Sequence, residues 1–185
     1  MLTALIVAAV VLVLLFFFVI GIYNALVRLR NQVDNSWSQI DVQLKRRHDL
    51  IPNLVETAKG YMKHERGTFE AITQARAQAM GAKSVSDASK AEGALGEALS
   101  KFMLVVENYP DLKANQNFLA VQEELSSTEN RIAFSRQNYN DQVLSFNNKI
   151  QMFPSNIVAG MFTFGKRDFF EIEVAAEREV PKVSF

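Results

Sequence analysis

Residues 4 to 22 are nineteen consecutive apolar residues or glycine, and fifteen of them are Leu, Ile, Val or Phe. As a helix rising about 1.5 Å per residue, this run spans close to 30 Å, the thickness of a bilayer's hydrocarbon core. At about −0.3 to −0.6 kcal/mol for each large apolar residue, insertion gains about −5 to −9 kcal/mol. A cleaved signal peptide needs a basic start, a shorter apolar stretch and small residues at the cleavage point. Nothing basic precedes Ala4, and Gly21-Ile22-Tyr23-Asn24 is a poor cleavage site. Tyr23 suits an aromatic anchor at the membrane surface. The expectation is a retained single-pass anchor over residues 1–23, in lipid through residues 4–22.

The charges lie elsewhere. All forty Asp, Glu, Lys and Arg residues fall at or beyond Arg28, twenty of each sign. The body after the anchor therefore has an ordinary soluble composition. Zero net charge excludes a general nucleic-acid binder, which needs a clustered basic excess. The absence of Cys excludes disulfides, thiolate metal sites and cysteine nucleophiles. Arg28 and Arg30 follow the apolar run, with Lys45, Arg46 and Arg47 farther on, whereas only the terminal amine precedes it. Positive flanking charge places the body in the cytoplasm and the short N-terminus outside.

Within the body, apolar positions step by threes and fours from Leu26 through Val33, Trp37, Ile40, Leu44, Ile51, Leu54, Ala58 and Tyr61, with Arg30 and Arg47 interrupting the seam. The phase survives Pro52. This predicts one long helix to about His64, kinked where Pro52 removes a hydrogen bond. The competing possibility is a break near Asp49, with Pro52 opening a new helix. A short Ala-rich helix over 68–80 stops at Gly81, a Ser-rich loop covers 83–89, and a third helix covers 90–109 with Leu95, Leu99, Phe102 and Val106 inward. The last helix is the most regular, from Phe118 by fours and threes to Phe153, ending at Pro154. Two matched long helices joined by a shorter pair predict an all-α fold: an anchor (1–23), an up-and-down antiparallel four-helix bundle (24–153) with long first and last helices, and a Phe-rich C-terminal segment (154–185).

If the last helix runs antiparallel to the first, position n faces about 176 minus n. Arg47 then faces Glu129, a polar pair at seam positions whose role is to fix register more than to add stability. The same geometry returns the chain beside the bilayer, where Ile157, Met161, Phe162, Phe164, Phe169 and Phe170 offer more apolar surface than a soluble monomer exposes. Either they fold back as core, or they meet the membrane surface or a second copy; self-association is the preferred expectation. Residues 170–185 roughly alternate and form either an added strand or a loose tail.

Little material for catalysis is present. His48 and His64 are the only histidines, neither follows a Glu by three residues, and both are expected at the solvent-exposed surface. There is no nucleophile elbow, P-loop or dinucleotide turn. Gly93-Ala94-Leu95-Gly96 falls inside a helix and serves packing, and Glu123-Glu124 lies on a solvated face. The basic run Lys45-Arg46-Arg47-His48 lies about 35 Å beyond the span, several Debye lengths from any lipid headgroup, so a protein partner or the opposite helix is its nearer target. No catalytic residue, cofactor or metal ligand is expected.

Four runs resemble the LemA family of bacterial membrane proteins: RRHDLIPNLVETAKGYMKHE at 46–65, ENYPDLKANQNFLAVQEELSSTENRIAFSRQNYND at 107–141, NNKIQMFPSN at 147–156 and FFE at 169–171. The resemblance implies an N-terminal anchor, a helical body and a short external N-terminus, and no established activity or cofactor. With it, the expected function is a scaffold or adaptor in the bacterial inner membrane, presenting a cytoplasmic bundle to an unidentified protein partner or to copies of itself. The alternatives are an oligomer that organises lipid, and a metalloprotein or enzyme using His48 or His64 with bundle carboxylates.

Overall fold

The structure, a computed structural model, describes residues 1–171, and every regular element among them is helical. In chain order these are α1 (Leu2–Lys59), α2 (Arg66–Met80), α3 (Val85–Val106), α4 (Pro110–Lys113), α5 (Gln116–Gln151) and α6 (Ser155–Met161). The strand-or-tail alternative for the C-terminus falls almost wholly outside the described residues.

α1 is continuous through Pro52, which excludes the break near Asp49. Its first part, to about Ile20, exposes nearly every Leu, Ile, Val and Phe side chain and is long and apolar enough to cross a membrane. α3 begins five residues earlier than its sequence pattern predicts. The Ser84 hydroxyl accepts from the Asp87 backbone N–H at 3.0 Å, so a helix cap ends the serine-rich stretch that looks like loop. Closing α6, Thr163 takes φ 56°, a left-handed turn at a helix C-terminus held by a residue other than glycine.

The described residues form two compact units, one of Met1–Gln39 with Gln137–Asp168, the other of Ile40–Arg136 with the remaining described residues, 169–171. In the first, Leu26 and Val33 of α1 are buried along with Tyr139, Val143, Phe146 and Ile150 of α5 and Val158 of α6. Trp37 meets Tyr139 edge-on at 5.5 Å, and Asn138 donates to the Ser36 hydroxyl at 3.4 Å. The segment after α6 is strapped down by side chains. Asn147 Nδ2 donates to the Arg167 carbonyl while its Oδ1 accepts from the Arg167 N–H, both at 2.9 Å. Tyr139 Oη donates to the Asp168 carbonyl, also at 2.9 Å. Burial pushes the Tyr139 phenol above its ordinary 10.0, with Asp168 and Asp34 acting in the same direction against Arg167, which keeps it a donor.

In the second unit, Ile51, Leu54 and Ala58 of α1 form one apolar core with Phe69 and Ile72 of α2, Leu95, Phe102 and Val106 of α3, Leu112 of α4, and Phe118 and Leu125 of α5. Phe102 stands at its centre, 6.1 Å from the Phe69 ring and 6.5 Å from that of Phe118. The pairs Arg47 with Glu129 and Tyr61 with Asn115 lie along α1 and α5 in opposite chain directions. The first unit's pairs do the same, so within each unit the two helices run antiparallel at the register of about 176 minus n.

Candidate functional site

The most unusual chemistry of the second unit lies inside it. Arg47, 2% exposed, sends Nη2 to Glu92 of α3, which is 1% exposed, and Nη1 to Glu129 Oε2 of α5 at 2.5 Å. His48 Nε2 donates to the other carboxylate oxygen of Glu92 at 2.7 Å. Both Glu92 oxygens are thus occupied from adjacent residues of α1. Arg47 Nε is buried with no hydrogen-bond partner among the described residues. Burial alone raises the Glu92 carboxyl, but the His48 hydrogen bond and the charge and hydrogen bond of Arg47 outweigh it and hold it below the ordinary 4.5. The carboxylate is therefore ionised, and its charge is neutralised locally.

α2 joins the same point through the backbone. Pro52 has no N–H, so the carbonyl four residues earlier, that of His48, loses its helical donor. Arg76 Nε supplies one, at 2.7 Å. This is how α1 passes a proline without leaving a carbonyl unsatisfied, and it ties α2 to the residue whose ring meets α3. Removing it by Arg76→Met is expected to cost about 1.5–3 kcal/mol in urea unfolding. Pro52→Ala, which restores the missing N–H, is expected to make the same Arg76→Met change much cheaper. Equal costs in the two backgrounds would show that Arg76 acts some other way.

Sequence reasoning singled out Arg47 and Glu129, and the structure brings them together, but Glu129 has a side chain 56% exposed and is no core residue. The buried partner is Glu92, which the pattern held in plain view. Glu92, Leu95, Leu99, Phe102 and Val106 step by threes and fours, so Glu92 continues the inner seam of α3 one step beyond Leu95. His48 is corrected too. It is 7% exposed rather than solvated, because Leu44, His48 and Ile51 share the inner face of α1. His64 is exposed as expected. Within the basic run Arg47 and His48 are buried, whereas Lys45 and Arg46 are exposed, with Arg46 pairing Glu124 of the same chain.

The Phe-rich segment divides. Phe170 is completely buried, which removes it from any interaction surface, and its neighbour Phe169 is 38% exposed. Phe164 is half-buried, its ring 5.8 Å from Tyr23 and 6.4 Å from Phe146, with the Arg30 guanidinium 5.5 Å above it. Phe162 lies 4.7 Å from Tyr23 yet remains 48% exposed.

Chemically, the buried cluster is an ion pair extended by an imidazole, with every carboxylate oxygen of Glu92 engaged. Among the described residues no three His, Asp or Glu side chains are placed to hold a metal ion. Its geometry serves registration: shifting α1 against α3 by one residue strands a buried charge, a cost of several kcal/mol.

A family model described as the LemA family matches residues 36–185. The chain belongs to the LemA family. It is 31% identical over 171 residues to Protein LemA of Metamycoplasma hominis, covering 91% of this chain and 75% of that one. It is 24% identical over 184 residues to Magnetosome protein MamQ 2 of Paramagnetospirillum magneticum and to Magnetosome protein MamQ of Magnetospirillum gryphiswaldense, covering 85% of this chain and 68% of each relative. The LemA-family match takes in all three carriers of the buried cluster, and none of these names states a reaction.

Proposed function

We propose that this LemA-family chain is a non-catalytic, single-pass membrane scaffold. It holds an up-and-down four-helix bundle on the cytoplasmic side of a bacterial inner membrane and binds proteins, copies of itself included, through outer helix faces. The observation that carries this reading is α1. One unbroken helix begins as a lipid-compatible, exposed apolar segment and continues past Arg28 and Arg30 to Lys59. Support for a structural rather than a chemical role comes from the buried cluster, whose ionisable groups are spent on one another.

Crosslinking in native membranes followed by mass spectrometry tests the role, with a defined protein partner or a specific homo-oligomer expected. Stoichiometric iron or manganese in the purified protein overturns it in favour of a metalloprotein. Orientation has its own test. Because the flanking positive charge lies after the span, a reporter fused behind Phe185 is expected to behave as cytoplasmic. Replacing Arg28 and Arg30 with Ala and adding Lys after Met1 is expected to shift part of the population to the inverted form. An alkaline phosphatase active at that fusion point in the unaltered chain means the orientation is reversed.

A further inference from the structure

α6 is amphipathic in an unexpected sense. Ser155, Val158 and Ala159 are buried, while Ile157 and Met161 are 55% and 69% exposed, so Asn156 is the one polar side chain on an otherwise apolar outer face. Phe153 just before it and Phe162 just after it are apolar and exposed as well, 79% and 48%. The turn that carries the patch consumes its own polar groups. The Ser155 hydroxyl bonds the Lys149 carbonyl at 2.6 Å and the Met152 carbonyl at 2.9 Å, and Gln151 Nε2 donates to the Asn147 carbonyl at 2.7 Å. Of these, the Lys149 carbonyl belongs to the last turn of α5, where a helix end otherwise leaves it to water, and Met152 follows directly on that end. An apolar surface over a turn that satisfies several of its carbonyls internally suits an apolar environment.

Two observations from the same unit identify that environment. Phe162 packs on Tyr23, the residue that closes the apolar run of α1, so the patch lies at the level where a bilayer crossed by residues 4–22 ends. The charge there has one sign: no Asp or Glu occurs before Asp34 or between Asp141 and Asp168, whereas Arg28, Arg30, Lys149 and Lys166 do, and the next basic residue, Arg167, is paired with Asp34 at 2.9 Å. Positive charge beside an apolar face matches an anionic lipid leaflet, which attracts basic groups next to a span. A second copy carrying the same charges meets repulsion.

We infer that Phe153, Ile157, Met161 and Phe162 form an interfacial foot, seated in the headgroup layer of the leaflet from which α1 emerges. This rests on the reading of α1 as a membrane anchor. The foot adds a second lipid contact to the single span and fixes how the first unit stands on the membrane.

The absence of cysteine in the natural sequence makes the test direct. Single spin labels are placed through Ile157→Cys, Met161→Cys, Leu12→Cys and Leu144→Cys in the full chain, reconstituted in vesicles of phosphatidylcholine and phosphatidylglycerol. Collision rates with oxygen and with a water-soluble nickel chelate then report depth. The Leu12 label is expected deep in the bilayer and the Leu144 label in water. Both α6 labels are expected about 5–10 Å inside the lipid boundary, with oxygen-to-nickel ratios severalfold above that of Leu144. A deep Leu12 label with water-exposed α6 labels overturns the foot and leaves the anchor standing. So does a deep Leu12 label with α6 labels broadened by a second copy, which makes the patch a subunit contact. A Leu12 label in water removes the anchor, and the foot with it. Labelling α6 at two positions guards against one substitution perturbing the helix.

Discussion

Replacing Glu92 with Ala is expected to destabilise the second unit by about 3–5 kcal/mol, because Arg47 and His48 then lose the buried carboxylate that both of them contact. Glu129→Ala is expected to cost below about 1 kcal/mol, since that carboxylate is largely solvated and its contact with Arg47 is screened. A double-mutant cycle in urea separates the two. Coupling between Arg47 and Glu92 is expected to reach about 3 kcal/mol, the upper end for residues in one network, and coupling between Arg47 and Glu129 a small fraction of that. Replacing Arg47 and Glu92 together with Leu is expected to cost less than either single change, as no charge of the pair is left without its partner and, of the buried groups, only the His48 imidazole loses a contact. A near-zero coupling for Arg47 and Glu92 would sink the view that this pair holds α1 and α3 in register.

The same carboxylate predicts an acid response. Its native pKa is depressed, so the stability it contributes is complete above the ordinary 4.5 and disappears as pH falls through the lower native value. Urea midpoints measured downward from neutral pH are expected to hold steady until about that point and then drop. Glu92→Gln is expected to flatten the drop while lowering the plateau.

What the sequence made legible follows from how locally each feature is encoded. The apolar segment long enough to cross a membrane needs only residues 4 to 22. The register of α1 against α5 needs two long seams and one turn, and Arg47 opposite Glu129 came out of helix length alone. Glu92 needed a third helix to be extended backward through a serine-rich stretch. The signal that extends it, Ser84 accepting from Asp87, reads equally well as a loop until the fold is seen. Arg76 could not be foreseen by periodicity, because its partner is a backbone carbonyl exposed by a proline 24 residues earlier in the chain. The division of Phe162, Phe164, Phe169 and Phe170 was also hidden. Consecutive aromatic residues outside regular structure carry no period, so the chain's return path alone decides which of them is covered.

Phe170→Ala is expected to cost about 3–5 kcal/mol, and Phe169→Ala about 1–2 kcal/mol, although the two side chains are chemically identical and adjacent. The difference lies in burial: Phe170 has no exposed surface, whereas Phe169 keeps 38% of its own. Truncating a buried phenyl group loses its transfer free energy and leaves a cavity that well-packed neighbours fill only in part. The backbone limits that collapse further, since the Ser89 hydroxyl of α3 bonds the Glu171 carbonyl and holds the chain in place on the far side of Phe170. Releasing this strap by Ser89→Ala is expected to cost about 1 kcal/mol, so the larger effect belongs to the ring itself. Melting and mass in mild detergent are measured together on the full chain. A large fall in melting temperature with unchanged mass for Phe170→Ala is the expected result. Loss of association with melting unchanged would return Phe170 to the surface and make the Phe-rich segment the self-association site that the sequence alone suggested.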